Sequence, residues 1–208
     1  MSGILRIFEE KDIIMETMDC VDLGLSVKWA TCNVGANKPE EYGGYYAWGE
    51  TATKEDYGST YKYFKEDKDG LFGMITKYCT IEKYGIVDNK TVLEKSDDVA
   101  YTTLGGKWRT PTDEEWDELK EKCTWTKTTI HGVDGYKIET SNGNFIFLPE
   151  AGYKIGSKMS EGGYYWSSSL FENDPRDALY TYFYGEKISK DFNCRCGGRS
   201  VRPVMDDK

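Results

Sequence analysis

The chain has 208 residues, a formal net charge of −9 and six cysteines. Its length suffices for a sizeable hydrophobic core. The acidic balance argues against nucleic acid as a partner, because binding a phosphate backbone requires clustered Lys and Arg. The longest apolar runs, such as residues 145–148, are too short to cross a bilayer, so we expect no membrane insertion.

The first 19 residues are interpreted as an N-terminal arm. They lack the apolar core and the small-residue cleavage site of a secretory signal. No linker rich in Pro, Ser or Gly divides the remaining chain, and tryptophans recur from Trp29 to Trp166. Residues 20–208 are therefore expected to form one domain.

Two stretches near the start of this domain favour strands. Residues 21–34 are β-branched and partly alternating, with Gly24 as a bulge or turn, and predict one or two strands. Residues 43–49 predict a short aromatic strand between glycines. The next segment, about 51–95, is polar, rich in tyrosine and weakly periodic. It is interpreted as an irregular insertion that either packs against a partner subunit or shapes a binding face.

Two helices follow the insertion. Ser96 is predicted to cap a short helix with an acidic first turn. The second helix begins at a capping box, Thr112 to Glu115, directly after a proline. Its apolar positions, Trp116, Leu119 and Cys123, share one face.

The last third of the chain favours short strands. Residues 135–140 and 145–148 predict a hairpin around an Asn-Gly turn. Residues 164–169, 178–184 and 200–204 predict further strands. Two helices beside several short, mostly antiparallel strands predict an α+β fold rather than repeated βαβ units.

The six cysteines include no Cys-x-x-Cys pair, and His131 is the single histidine. We therefore predict no metal site and no cofactor, and interpret His131 as a solvated turn residue. Because a chain of this length folds without disulfides, mostly free thiols are expected. Cys194 and Cys196 would point the same way from one strand, and such neighbours do not readily bridge each other.

Several motifs occur in an order that resembles the C-type lectin-like fold. They are Trp108-Arg109-Thr110-Pro111-Thr112-x-x-Glu115-Trp116, Tyr165-Trp166-Ser167-Ser168 and Gly198-x-Ser200-Val201-Arg202-Pro203-Val204, preceded by residues 21–30 and 45–50. The chain resembles most narrowly the branch that contains formylglycine-generating enzymes, gut-bacterial surface paralogues and the variable proteins of diversity-generating retroelements. This resemblance covers roughly residues 20–204 and implies display on a virion or cell surface.

The resemblance to retroelement variable proteins implies a variable binding region at about residues 164–204. In such proteins asparagine codons are mutagenised at adenines, so variable positions carry residues that an NNC codon encodes. The candidate ligand-binding residues that meet this condition are Phe171, Asn173, Asp174, Tyr180, Tyr182, Tyr184, Ser189, Asp191, Asn193 and Cys196. By the same rule Glu172, Glu186, Lys187 and Lys190 would be fixed positions.

The alternation of residues 179–184 supports a binding surface independently. In a strand Leu179, Thr181 and Phe183 share one face, and Tyr180, Tyr182 and Tyr184 share the other. We expect the first face to be core and the tyrosine row to be presented, where such anchors contribute ~2 kcal/mol or more at an interface centre. The alternative is that these tyrosines cover a neighbouring loop inside the domain.

The sequence bears on two other kinds of site, a calcium site and a copper site. Calcium-dependent lectins use Glu-Pro-Asn or Gln-Pro-Asp with Trp-Asn-Asp, which this sequence lacks, and Glu172 to Pro175 is interpreted as an Asx-type turn. Formylglycine-generating enzymes bind copper through a cysteine pair near the C-terminus, which resembles Cys194 and Cys196. Here the pair is more tightly spaced, and the preceding Arg-Gly-Gly-Ser-Trp segment is missing.

The remaining distinctive residues are assigned to the fold itself. Trp108, Trp116 and Trp166 are predicted to lie in the core, and Arg195 and Arg202 to be hydrogen-bonded structural arginines. The sequence thus favours a non-enzymatic binding protein with a protein or glycan receptor and possible homo-oligomers. The alternatives are an undiversified surface or adhesin paralogue and a copper-dependent oxidase.

Overall fold

The computed structural model describes residues 18–65 and 73–206. Within these ranges there are two α-helices, α1 (Val99–Leu104) and α2 (Asp113–Lys122). The strands are β1 (Cys20–Val21), β2 (Val27–Ala30), β3 (Phe64–Lys65), β4 (Met74–Ile75), β5 (Trp108–Arg109), β6 (Thr124–Ile130), β7 (Val133–Glu139), β8 (Phe145–Pro149), β9 (Lys154–Ile155), β10 (Lys158–Met159), β11 (Gly163–Leu170), β12 (Asp177–Tyr184), β13 (Lys187–Cys194) and β14 (Val204–Asp206). These antiparallel strands form small sheets, which confirms the α+β class. The arm predicted for residues 1–19 lies outside the described residues except for its last two positions.

The two ends of the described chain meet in one antiparallel sheet with the order β1-β2-β14-β5. Strands β1 and β2 confirm the prediction for residues 21–34, and Gly24 between them has a φ of +72°. Next to this sheet, Arg202 is fully buried and donates to the carbonyl oxygens of Ala30, Thr31 and Phe147. Arg202 is therefore the structural arginine that was predicted, and burial lowers its pKa to about 10.

Strands β6, β7 and β8 form an antiparallel meander. The hairpin of β7 and β8 is confirmed, and Gly143 in its turn has a φ of +83°. Strand β6 was not predicted, because its Thr- and Lys-rich sequence is mostly exposed and lacks a regular apolar face. His131 occupies the turn between β6 and β7 with a φ of +48° and is exposed, as expected.

The helix predictions are correct for α2 and wrong at the start of α1. Thr112 and Glu115 form the predicted capping box, and Trp116 and Leu119 are buried. The N-cap of α1 is Asp98, not Ser96, because the Asp98 carboxylate accepts from the backbone N–H groups of Ala100 and Tyr101. Ser96 instead belongs to a 3₁₀ turn, Lys95–Asp97, that precedes the helix.

The insertion at about 51–95 contributes to the core. Among the residues of the insertion that the structure describes, the buried aromatic ones are Tyr57, Tyr61, Tyr63 and Tyr78. They pack in one cluster with Trp48 and Trp166. These tyrosines are buried by contacts within the chain. Their burial therefore does not require a partner subunit, which was one of the two roles suggested for the insertion.

The sheet β11-β12-β13 lies between two hydrophobic clusters. Trp166 and Tyr180 on one face belong to the cluster that contains the insertion tyrosines. Tyr165 and Phe183 on the other face belong to a second cluster with Trp116 of α2. Both faces of this sheet are thus covered at their centre. The three tryptophans assigned to the core, Trp108, Trp116 and Trp166, are buried.

Candidate functional site

The register of β12 and β13 brings most of the predicted binding residues onto one face. Ser189 lies opposite Tyr182, Asp191 opposite Tyr180, and Asn193 opposite Ala178. Directly opposed residues of an antiparallel pair point to the same side of the sheet. Six of the ten predicted residues therefore share a face: Tyr180, Tyr182, Tyr184, Ser189, Asp191 and Asn193.

The three tyrosines on this face are not equally accessible. Tyr184 is 55 % exposed and Tyr182 is half-buried, but Tyr180 is only 5 % exposed. The expectation of a row of three presented tyrosines is thus wrong for Tyr180. Strand alternation determines which side chains share a face, but not which segment of the chain covers that face.

Arg199 explains the burial of Tyr180. The guanidinium carbon of Arg199 lies 4.2 Å from the ring centre of Tyr180 and 4.1 Å from that of Trp166. Burial raises the pKa of Tyr180 to about 12 and lowers the pKa of Arg199 to about 10. Arg199 was not among the predicted site residues, although it occupies the x position of the Gly198-x-Ser200 motif.

Four tyrosine rings remain accessible above this buried pair and form what we call the tyrosine face: Tyr153, Tyr164, Tyr182 and Tyr184. Tyr164 and Tyr182 are stacked, with ring centres 5.9 Å apart and an interplanar angle of 13°. Tyr153 packs edge-on against Tyr164 with ring centres 4.6 Å apart. Lys187 Nζ lies 5.1 Å from the ring centre of Tyr182. These contacts hold the rings of Tyr153, Tyr164 and Tyr182 in place before any ligand arrives.

Phe171, Asn173 and Asp174 lie elsewhere, in the turn between β11 and β12. Phe171 stacks on Phe192 with ring centres 3.8 Å apart, and Phe192 lies opposite Leu179, away from the tyrosines. The Asp174 carboxylate accepts from the backbone N–H and side chain of Arg176, which confirms the Asx-type turn and lowers the pKa of Asp174. These three residues do not join the tyrosine face.

Cys196 does not present a free thiol, because it is disulfide-bonded to Cys194. The expectation that these close neighbours stay unbridged is wrong. The turn after β13 brings their Cα atoms to 5.1 Å, within the range that a disulfide spans. The other four cysteines are free, as predicted: Cys20, Cys32, Cys79 and Cys123.

Arg195, between the two bridged cysteines, is fully buried. Its guanidinium donates to the carbonyl oxygens of Lys77, Tyr78 and Pro175. It thereby ties the insertion to the β11–β12 turn and to the end of β13. This confirms Arg195 as a structural arginine.

A groove adjoins the tyrosine face at Tyr184 and has a volume of about 650 Å³. We call it the Tyr184 groove. Its lining includes Tyr42, Met159 and Tyr184, three acidic residues, and Lys127. The acidic residues are Asp134, Glu150 and Glu161. This concavity beside accessible aromatic rings is a candidate binding site.

Architecture and surface together define an α+β protein built from small antiparallel sheets with an accessible group of tyrosines at one sheet edge. Comparison with known protein families, curated proteins and solved structures finds no match to this chain. No helix among residues 18–65 and 73–206 is long and apolar enough to cross a membrane. In the same residues no three His, Cys, Asp or Glu side chains come together as a group that could hold a metal ion.

Proposed function

We propose that this chain is a non-enzymatic binding protein with a C-type lectin-like scaffold, displayed on a virion or cell surface, that recognises a protein or glycan receptor. The observation that carries this proposal is the tyrosine face, where Tyr164 and Tyr182 are stacked yet remain accessible. Tyrosine has few rotatable bonds and offers both apolar area and a hydroxyl, so it suits recognition of either receptor class.

The rigidity of this face supports a role in binding. Half-exposed rings that are already packed against one another lose little side-chain entropy when a ligand covers them. Strand β12 pairs with β13 over its full length and with β11 over much of it, so the backbone beneath the rings is fixed. We infer that binding energy is concentrated at Tyr182 and Tyr184, the accessible rings of the central strand.

We further propose that the displayed positions are diversified by a retroelement. Tyr182, Tyr184, Ser189, Asp191 and Asn193 are half-buried or exposed, and their backbone ladder does not depend on side-chain identity. Tyr180 and Cys196 are held by packing and by a disulfide, so diversification would exclude them. The neighbouring genome tests this: a reverse transcriptase and a near-copy of the 3′ coding sequence that differs at adenines should lie nearby. If both are missing, the retroelement proposal fails, and the undiversified surface paralogue remains as the rival binding proposal.

The binding proposal is tested with arrays that carry glycans and peptides. The wild-type chain is compared with Tyr182→Ala and Tyr184→Ala. The matched control is Phe145→Ala, an aromatic residue of similar exposure at the start of β8 in another sheet. Each tyrosine substitution should weaken the strongest signal about 30-fold, corresponding to ~2 kcal/mol, and the control should leave it unchanged. Equal binding by all four proteins would refute the proposal.

A further inference from the structure

We propose that the Tyr184 groove receives an arginine or lysine side chain from a protein receptor. This inference rests on the proposed binding function, because Tyr184 belongs to both the tyrosine face and the groove. It selects a protein with a basic segment over a neutral glycan as the occupant. The reasons are the apolar rim, the charge of the lining and the fixed shape of the groove.

Three large apolar or aromatic side chains border the groove while exposing much of their surface. Tyr42 is 42 %, Met159 is 53 % and Tyr184 is 55 % exposed. Their grouping around one concavity leaves an apolar rim that a partner would cover. The aliphatic stem of Arg or Lys fits such a rim, and its cationic head interacts favourably with tyrosine rings.

The lining of the groove carries an excess of negative charge. Asp134, Glu150 and Glu161 contribute carboxylates, and Lys127 is the one cationic residue among the lining residues. Lys127 Nζ lies 3.2 Å from Glu150 Oε1, so these two side chains form an ion pair with each other. A cationic ligand would therefore meet the negative charge of Asp134 and Glu161, which Lys127 does not pair with.

Glu161 is well placed to meet an incoming cation. It is exposed, and one of its carboxylate oxygens lies 3.5 Å from the Tyr184 hydroxyl. By contrast, the Asp134 carboxylate accepts a 2.6 Å hydrogen bond from Thr129. Carboxylate and aromatic ring thus stand side by side at Glu161 and Tyr184, which is the pairing that a guanidinium or ammonium group prefers.

Two glycines set the shape of the groove. Gly152 and Gly162 have φ values of +70° and +91°, and the N–H of Gly152 donates to the carbonyl oxygen of Gly162. A Cβ atom would approach backbone oxygens to 2.3 Å at Gly152 and 2.8 Å at Gly162. Because neither position accommodates a side chain, this part of the wall is bare backbone.

A neutral sugar fits this lining less well. Its hydroxyl groups can donate to carboxylates, but covering several carboxylates without a compensating charge carries a desolvation penalty. A cation satisfies the same groups and neutralises them. Charge complementarity therefore favours a basic peptide segment.

The inference is tested by titrating the isotopically labelled full chain with two tripeptides and following backbone amide shifts by NMR. The probes are acetyl-Gly-Arg-Gly-amide and acetyl-Gly-citrulline-Gly-amide, which differ in charge but hardly in shape. The arginine peptide should shift the amides of Gly162 and Gly185 and bind about 10-fold more tightly than the citrulline peptide. Equal affinity of the two peptides, or no shift at these amides, would overturn the inference.

Matched variants assign the effect to the groove. Glu161→Gln should weaken the arginine peptide about fivefold, and Glu172→Gln, an exposed glutamate in the β11–β12 turn, should not change its affinity. A methyl glycoside that shifts the same amides at lower concentration than the arginine peptide would assign the groove to a glycan instead. If the arginine peptide does not bind in the groove, the proposed binding function can still be tested separately. Tyr182 lies outside the groove lining, so the effect of Tyr182→Ala on the arrays does not depend on the groove.

Discussion

The guanidinium carbon of Arg199 lies 4.2 Å above the ring centre of Tyr180, and both residues are almost completely buried. The three tyrosines of β12 therefore differ in burial: Tyr180 is buried, whereas Tyr182 and Tyr184 keep accessible surface. Tyr180 packs in the hydrophobic cluster on its face of the sheet. Accessibility then increases from Tyr182 to Tyr184 toward the end of the strand.

Tyr180→Ala should lower the free energy of unfolding by about 3 kcal/mol, because it leaves a cavity beside the Arg199 guanidinium. Tyr184→Ala should change it by less than about 0.5 kcal/mol, since that ring is exposed. Urea unfolding followed by tryptophan fluorescence measures both. Equal losses for the two variants would show that the tyrosine row does not divide in this way.

Arg195→Lys should destabilise the chain by about 3 kcal/mol. Lysine retains the charge but cannot reach the carbonyl oxygens of Lys77, Tyr78 and Pro175 in the same forked geometry. Chemical denaturation is again the measurement, with Lys107→Met as an exposed control that should have little effect. A neutral outcome for Arg195→Lys would mean that these carbonyl groups find other donors.

Asp97 predicts a specific pH dependence. Burial by itself raises the pKa of Asp97, but hydrogen bonds from Lys77 and Tyr78 outweigh it and hold the pKa below its usual value. A carboxyl group with a lowered folded-state pKa stabilises the fold above its unfolded-state pKa of about 4 and loses this contribution as the pH falls further. Asp97→Asn should therefore reduce stability by about 2 kcal/mol at pH 6, and the gap from wild type should narrow below pH 4. A gap that stays constant down to pH 2.5 would contradict this assignment.

Thr112→Ala should destabilise the chain by about 1 kcal/mol, because it removes the side chain that accepts from the Glu115 backbone N–H at the start of α2. Thr112→Ser keeps this acceptor and should retain most of the stability. Thermal unfolding of the two variants gives the comparison. If serine were no better than alanine, the capping hydrogen bond would not be the stabilising element.

Alkylation of the denatured chain tests the disulfide. Of the six cysteines, four should react without a reductant and all six after reduction, because Cys194 and Cys196 are bonded to each other. Mass spectrometry of the tryptic peptides locates the protected pair. Six reactive thiols before reduction would restore the expectation of free cysteines throughout.

Local interactions made parts of the fold predictable. The capping box and apolar stripe of α2 are satisfied within ten residues, and the β7–β8 hairpin depends on one turn around Gly143. The prediction failed where two residues could cap the same helix. Ser and Asp are both good N-cap residues, and the hydrogen bonds from Thr110 to Asp98 favour Asp98 over Ser96 as the N-cap of α1. Strand β6 was missed because its partner, not its own polarity pattern, holds it in the sheet.

The sequence by itself determined which residues of β12 share a face, since alternation is a property of any extended chain. Only the tertiary structure decided which of them are covered. Arg199, which follows β13, and Trp166 of β11 pack against the Tyr180 ring and bury it, while Tyr184 stays accessible. The same is true of the Tyr184 groove, whose lining comes from segments between Tyr42 and Gly185. Burial depends on contacts distant in sequence, and no local periodicity encodes them.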